Sequence, residues 1–298
     1  MTTLSSHTGT LPALALASHA RARGLPSTPP NALHAQGLHT RWSTAIVYAG
    51  ALVGLLVWRP GSVRGLIAHP HLLALAAAAG LTNVGFNWAV TLGDVVRVTL
   101  LFYLMPLWSI GLAWWLLRER PTGAALGRLA LAFTGLVLVL QRPGMAWPWP
   151  SGAADWLALM GGFCFALTNA LLRRWRDTPQ EARVLAMFGG GLTMAGGLAL
   201  LGLAGAAPAA LSPAAWAWAL GLTLAFLSGN LALQYGAARL PAQVTALIML
   251  AEVVIAAVSA VLLGAATPTA WTWAGGVLIV SAAVLSIRPG RRHPVRRG

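Results

Sequence analysis

From Trp42 to Ile287 the chain alternates between long apolar runs and short breaks that carry Arg, Pro and Gly. The runs are about 20 residues long, the length that crosses roughly 30 Å of hydrocarbon as an α-helix. Nine spans are read, at approximately 42–58, 70–92, 95–117, 123–140, 153–172, 183–204, 214–236, 241–264 and 269–287. The breaks contain helix-stopping triplets such as Arg59-Pro60-Gly61 and Arg142-Pro143-Gly144, where proline withholds a backbone N–H and glycine lets the chain turn. The pattern therefore predicts an all-α polytopic membrane protein with no separate soluble domain. Residues 1–40 differ, being rich in Thr, Ser, Pro, His and Arg, with one apolar patch at 11–17 too short to span.

Composition narrows the picture. With 57% hydrophobic and 9% charged residues and a mean hydropathy of +0.71, the chain has too little polar surface to cover a water-soluble globule of this length. A net charge of +14 would suit nucleic acid, but its placement points elsewhere. All basic residues are arginine, and fifteen of them fall on one alternating set of breaks: Arg59, Arg64, Arg118, Arg120, Arg128, Arg173, Arg174, Arg176, Arg183, Arg239 and the tail positions 288, 291, 292, 296 and 297. Arg97 and Arg142 fall on the other set. Positive charge stays on the cytoplasmic side during insertion, so the first set and the C-terminus are expected there. Trp147, Trp149, Trp216, Trp218, Trp271 and Trp273 sit at the opposite ends, as an interfacial aromatic belt would. The single Cys164 builds neither a disulfide nor a cysteine metal cage.

The chain also repeats itself. A shift of 147 sets Asn83 on Asn230, Asn87 on Gln234, Trp88 on Tyr235 and Ala89 on Gly236, and a shift of 146 sets Val98-Thr99 on Val244-Thr245 and Pro106 on Glu252. Two copies with an odd number of spans lie inverted to one another in the membrane, the arrangement that supports alternating access to a site at the midplane. Five spans plus five is the expected layout, and the first half shows four.

Polar groups inside a bilayer are expensive, so each is a candidate for function, with interhelical hydrogen bonding as the plainer account. Glu252 stands mid-span with no basic residue nearby in sequence, which suits a proton carrier or a partner for a substrate ammonium group. Asn83 with Asn87, and Asn230 with Gln234, sit four residues apart and share helix faces. Trp88, Tyr103, Trp108 and Tyr235 have the rings to line an amphipathic cavity, or to pack and face lipid. Asp94 and Arg97, one turn apart, form a candidate outer gate or a local solvated salt bridge. Glycine clusters such as 189–191 and 275–276 read as close helix crossings. His69 and His71 lack a third ligand, so neither metal nor cofactor is expected. Intramembrane proteolysis needs paired aspartates, a Ser with a His, or a zinc motif mid-span, and the pattern offers none, so no enzyme is read.

Gly93 to Arg120 with its terminal Arg-Glu-Arg, Gly127 and Gly135 in the next span, and the second copy from Leu240 to Ser286 resemble the EamA repeat of the drug/metabolite transporter superfamily. The resemblance implies a ten-helix inverted-repeat bundle with cytoplasmic termini, in a bacterial inner membrane. It divides the chain into an ambiguous segment 1–40 (a degenerate, missing or misframed first helix), repeats at 41–143 and 153–288, an outer linker 144–152 and a basic tail 289–298. It implies a secondary transporter exporting a small metabolite such as an amino acid or a drug-like solute, with protons as a candidate second partner and no nucleic acid; a monomer is expected. An uncoupled channel or facilitator, or a lipid-handling protein, is the alternative. The arginine bias generates a direct check: a fluorescent reporter fused after Gly298 lights up in the cytoplasm, whereas an alkaline phosphatase fused there stays inactive.

Overall fold

The computed structural model describes residues 40–140, 150–200, 212–240, 244–245, 247–249, 254 and 269–287. The described helices are α1 Thr40–Trp58, α2 Ser62–Ala68, α3 Leu72–Leu92, α4 Val95–Phe102, α5 Met105–Leu117, α6 Gly123–Leu140, α7 Ala153–Arg174, α8 Gln180–Leu200, α9 Pro213–Ala237 and α10 Ala270–Ile287. Among the described residues the stretches 72–92, 97–117 and 153–174 are long and apolar enough to cross a bilayer, and α1 with α2 makes a fourth if that bent pair is one span. Residues 123–139 and 270–286 are shorter apolar helices. The expected span 241–264 falls mostly outside the described residues.

The backbone explains two features of the spans. The first ends at Trp58, where the pattern put it, and past the Arg59-Pro60-Gly61 break the chain turns by 99° into α2, a short helix the pattern did not predict, because Pro60 cannot continue the α1 hydrogen-bond ladder and Ser62 N–H bonds back to Arg59 O instead. The span 95–117 is two helices. Pro106, in the first turn of α5, has no N–H to give the Phe102 carbonyl four residues back. That carbonyl lies against Gly162 of α7, closer than any Cβ at that position would allow. A break of this kind at membrane depth is tolerated where protein surrounds it, and here Phe102 touches Phe86, Tyr103 and Phe165, ring centroids 4.8, 5.8 and 5.9 Å away.

The core is organised around α3, which packs against α7 and α8. On the α8 side a Cβ on Gly80 would sit 2.5 Å from the Gly190 carbonyl, and Gly190 itself faces Ala76 backbone. Toward α7, Gly85 would meet Leu157 O at 2.8 Å and Gly161 Cα at 3.0 Å. Between chains of lipid, association comes from contact between backbones, and glycine allows it. The same device joins α6 to α10, where Gly135 would meet Gly275 O at 2.6 Å.

The repeat is visible in this packing. α6 and α10 begin at 123 and 270 and end at 140 and 287, so both ends differ by 147, the sequence shift itself. α1 pairs with α8 and α6 with α10, while α3 on α8 has its counterpart in α9 on α1. These pairs exchange under the repeat, as a twofold relation between the copies requires. Large apolar side chains cover the outside, with Val57 80%, Trp115 74% and Trp271 67% exposed; a band of this kind is what hydrocarbon solvates. Trp147 and Trp149 lie outside the described residues, whereas Trp216 and Trp273 are exposed.

Adjacent glycines make the crossing testable. Gly190→Ala drives a methyl into Ala76 backbone and should cost about 1–3 kcal/mol, read as a lower Tm in detergent; Gly189→Ala, with nothing within 4 Å, should stay within about 1 kcal/mol of the parent.

Candidate transport site

The amides predicted to share faces divide into two environments. On α3, Asn83 is half-buried and its Nδ2 donates to Ala79 O at 2.9 Å, one turn back; Asn87, also half-buried, has no polar partner among the described residues. On α9, Gln234 is fully buried and donates through Nε2 to Asn230 Oδ1 at 2.8 Å, while its own Oε1 is a buried acceptor without a donor. Asn230 Nδ2 in turn points at Met187 Sδ of α8, 4.0 Å away. The two amide pairs do not meet face to face. α8 lies between them, Gly190 against α3 and Met187 against Asn230.

The aromatic candidates also separate. Tyr103 is buried at the α4–α5 break, edge-on to Phe102, next to the place where α7 approaches closest. Trp88 is half-buried on α3, and its carbonyl accepts the Thr91 hydroxyl at 2.7 Å. Trp108 is 41% exposed and stacks edge-on against Phe163 at 5.7 Å, which puts it on the bundle's outer surface. Tyr235 carries the Arg239 guanidinium 3.8 Å from its ring centroid, a cation–π contact at the arginine-rich end. Glu252 lies outside the described residues.

Asp94 and Arg97, read as a candidate outer gate or a local salt bridge, each hold part of the framework. Asp94 is the N-cap of α4 and its Oδ1 accepts the Arg97 backbone N–H at 2.9 Å, which satisfies a free helix-start donor. The Arg97 guanidinium reaches α7, where Nε and Nη2 approach Asp155 at 2.9 and 2.8 Å. Asp155 is 4% exposed and also accepts from Ser151 N–H at 2.9 Å. A fork-on-carboxylate pair with extra donors is the geometry in which a buried ion pair holds. At the other end of α7, Arg173 meets Glu119 at 2.9 Å and Arg174 donates to Leu116 O at 2.8 Å. Arg118, at φ 56°, turns the chain so that both its own and the Glu119 N–H reach Ala113 O. α7 is thus pinned at both ends to α4 and α5.

The model of the EamA-like transporter family matches residues 37–141 and again 152–288. The chain belongs to the EamA-like transporter family. The match doubles along the chain as the internal shift does, and it makes the protein a membrane transporter of the drug/metabolite type. No curated protein sequence matches it. A crystal structure of another protein superposes on 96% of this chain and 98% of its own with a TM-score of 0.68 at 18% identity, a likeness that shows the fold alone.

Two polar residues of this EamA bundle, Asp155 and Asn169, escaped the sequence reading, and a third, Arg183, was placed differently. All are buried, at 4%, 1% and 4% exposure, and Asn169 Oδ1 and Arg183 Nε have no hydrogen-bond partner among the described residues. Asp155 and Asn169 lie on α7, whose positions minus 147 fall in residues 6–27, so a search for repeated polar positions passes over them. Their signal was available as polar residues within an apolar run. Arg183 read as a loop cation, but α8 begins before it and Nη1 donates to Leu172 O at 3.4 Å. His69 Nδ1 bonds with Gly65 O at 2.8 Å and His71 packs on Trp175 at 4.7 Å.

Removing one partner leaves the other charge uncompensated. Asp155→Ala should therefore cost on the order of 3 kcal/mol, whereas the Arg97→Met/Asp155→Leu double variant should lose less than the sum of the two single changes, as a thermal double-mutant cycle would record.

Proposed function

We propose that the protein is an inner-membrane secondary transporter that exports a small amphipathic metabolite, an amino acid or a drug-like solute, by alternating access. The observation carrying this reading is the exchange-symmetric packing of the two copies, α1 with α8 and α6 with α10, with α3 on α8 matched by α9 on α1. Two halves related in this way have two equivalent ways to lean on one another, one open to each side. The resemblance to the aromatic amino-acid exporter YddG favours zwitterionic solutes with an apolar side chain.

In this reading α3 and α9 supply the recognition groups. Asn87 on α3 and the Gln234 oxygen, buried without a donor among the described residues, are the candidate polar contacts, and since α8 separates them a solute would engage one or the other. Asn83 bonds within its own helix, and Asn230 links α9 to α8 through its contact with Met187. Trp88, Tyr103 and Tyr235 are the candidate apolar contacts, each beside a different part of the path. Glu252 couples transport to protons in this reading, as the one carboxylate of the apolar run 241–264, with no basic residue near it in sequence. The protein works as a monomer, with its C-terminus in the cytoplasm.

The test is flux of radiolabelled aromatic and aliphatic amino acids in proteoliposomes, with and without a proton gradient. Saturable export is expected, and Glu252→Gln should abolish its dependence on the gradient while binding persists. Gln234→Leu should raise KM at least about tenfold, the loss expected when a polar solute meets an apolar wall. Flux that never saturates would replace the carrier by an uncoupled channel or facilitator.

A further inference from the structure

The 19 residues of α1 make about 28 Å of helix, nearly the full thickness of the hydrocarbon. The 99° turn into α2 therefore falls at the boundary of the membrane and not within it. From there α3 crosses back over 21 residues. A seven-residue helix that joins two full spans on one side, at a right angle to the first, runs along the bilayer surface.

The sides of α2 differ in chemistry. Ser62, Gly65 and Leu66 share the face turned to the protein: Ser62 is buried, a Cβ on Gly65 would lie 3.1 Å from Ala182 Cβ of α8, and Leu66 packs against the core. Away from that face stand Val63, 42% exposed, and Ile67, 74% exposed, one turn apart, with Arg64 exposed beside them. The end of α1 extends the patch: Val57 and Trp58 are exposed, and the Arg59 guanidinium lies 5.2 Å from the Trp58 ring centroid. Water would leave these large apolar side chains bare, and hydrocarbon would leave both arginines without a counter-charge. The headgroup boundary suits both, because apolar side chains sink there while arginine stems reach back to the phosphates. The sign of the surface follows from the sequence. The first acidic residue of the chain is Asp94, at the far end of α3, so neither α1 nor α2 carries a carboxylate to offset Arg59 and Arg64, and neither arginine enters an ion pair among the described residues.

We propose that α2 and the end of α1 form an interfacial anchor that docks on an anionic lipid surface, with Val63 and Ile67 sunk below the headgroups and Arg59 and Arg64 on lipid phosphates. Through the Gly65–Ala182 contact the leaflet then holds the first turn of α8 in place. The anchor requires only that the bundle sits in a membrane, and stands apart from any assignment of solute or coupling.

Spin labels on Val63→Cys and Ile67→Cys test it, in the full chain carrying Cys164→Ala, in vesicles of phosphatidylglycerol or of phosphatidylcholine with the same chains. Should Cys164→Ala not fold, the native thiol is buried and can be left in place. In phosphatidylglycerol both labels should be relaxed more by oxygen dissolved in the hydrocarbon than by a water-soluble nickel chelate, whereas a label on Arg176→Cys, whose side chain is exposed, should show the reverse. In phosphatidylcholine the ratio of inserted to released label should fall, by about fivefold for each arginine that loses its anionic partner, and added inorganic phosphate should not restore it. Arg59→Gln with Arg64→Gln should produce the same fall in phosphatidylglycerol. Labels that stay in water in both lipids, or that insert equally in both and ignore the arginine substitutions, overturn the anchor. Immobilisation that grows with the protein-to-lipid ratio overturns it as well, by placing a second copy of the chain on the patch.

Discussion

The bundle depends on how near α3 lets its neighbours come. Two glycine contacts, Gly80 with Gly190 and Gly85 with Gly161, put three backbones within van der Waals range along one helix. In water such helices would be driven together by burial of apolar surface, but lipid is as apolar as leucine and offers no such drive. What remains is dispersion between closely fitted backbones, which falls off within an ångström of separation. The glycine contact of α6 with α10 does the same for the far side of the protein. The order of the core, α7 beside α3 beside α8 beside α1, follows from which glycines face which backbone.

Charge then fixes what packing leaves free. Dispersion has little directional preference along a helix axis, so α7 would be able to slide on α3; Arg97–Asp155 at one end and Arg173–Glu119 at the other prevent this. Both pairs link α7, which opens the second copy, to helices of the first. Pro106 adds the third constraint by breaking the span, turning the Phe102 carbonyl toward Gly162 and the Tyr103 ring toward the phenylalanine cluster. A proline, two ion pairs and a row of glycines thus set the register of α4, α5 and α7 with few hydrogen bonds between helices.

For a transporter of the EamA-like family this division of labour has a mechanical meaning. α3, α4, α5 and α7 are tied to one another by backbone contact and by paired charge, and they form the stiff side of the structure. The amides of α9 are tied by one internal hydrogen bond and a weak contact to sulfur.

The hydrophobic pattern alone established the membrane, the all-helical class and the duplication, because span length is set by the bilayer and a repeat is written in the order of residues. It also marked the break at Pro60, since a missing N–H is a property of one residue, but it read 95–117 across Pro106 as one span. It did not yield Asp155, buried 58 positions away from the arginine that neutralises it, nor Asn169, whose place on α7 has no echo in the first copy. Nor did it show that α8 would stand between the paired amides of α3 and α9, because periodicity names the face of a helix and not the neighbour that face meets. Partners across a membrane bundle are chosen by which backbones approach one another, a choice that exists once the helices have been brought together.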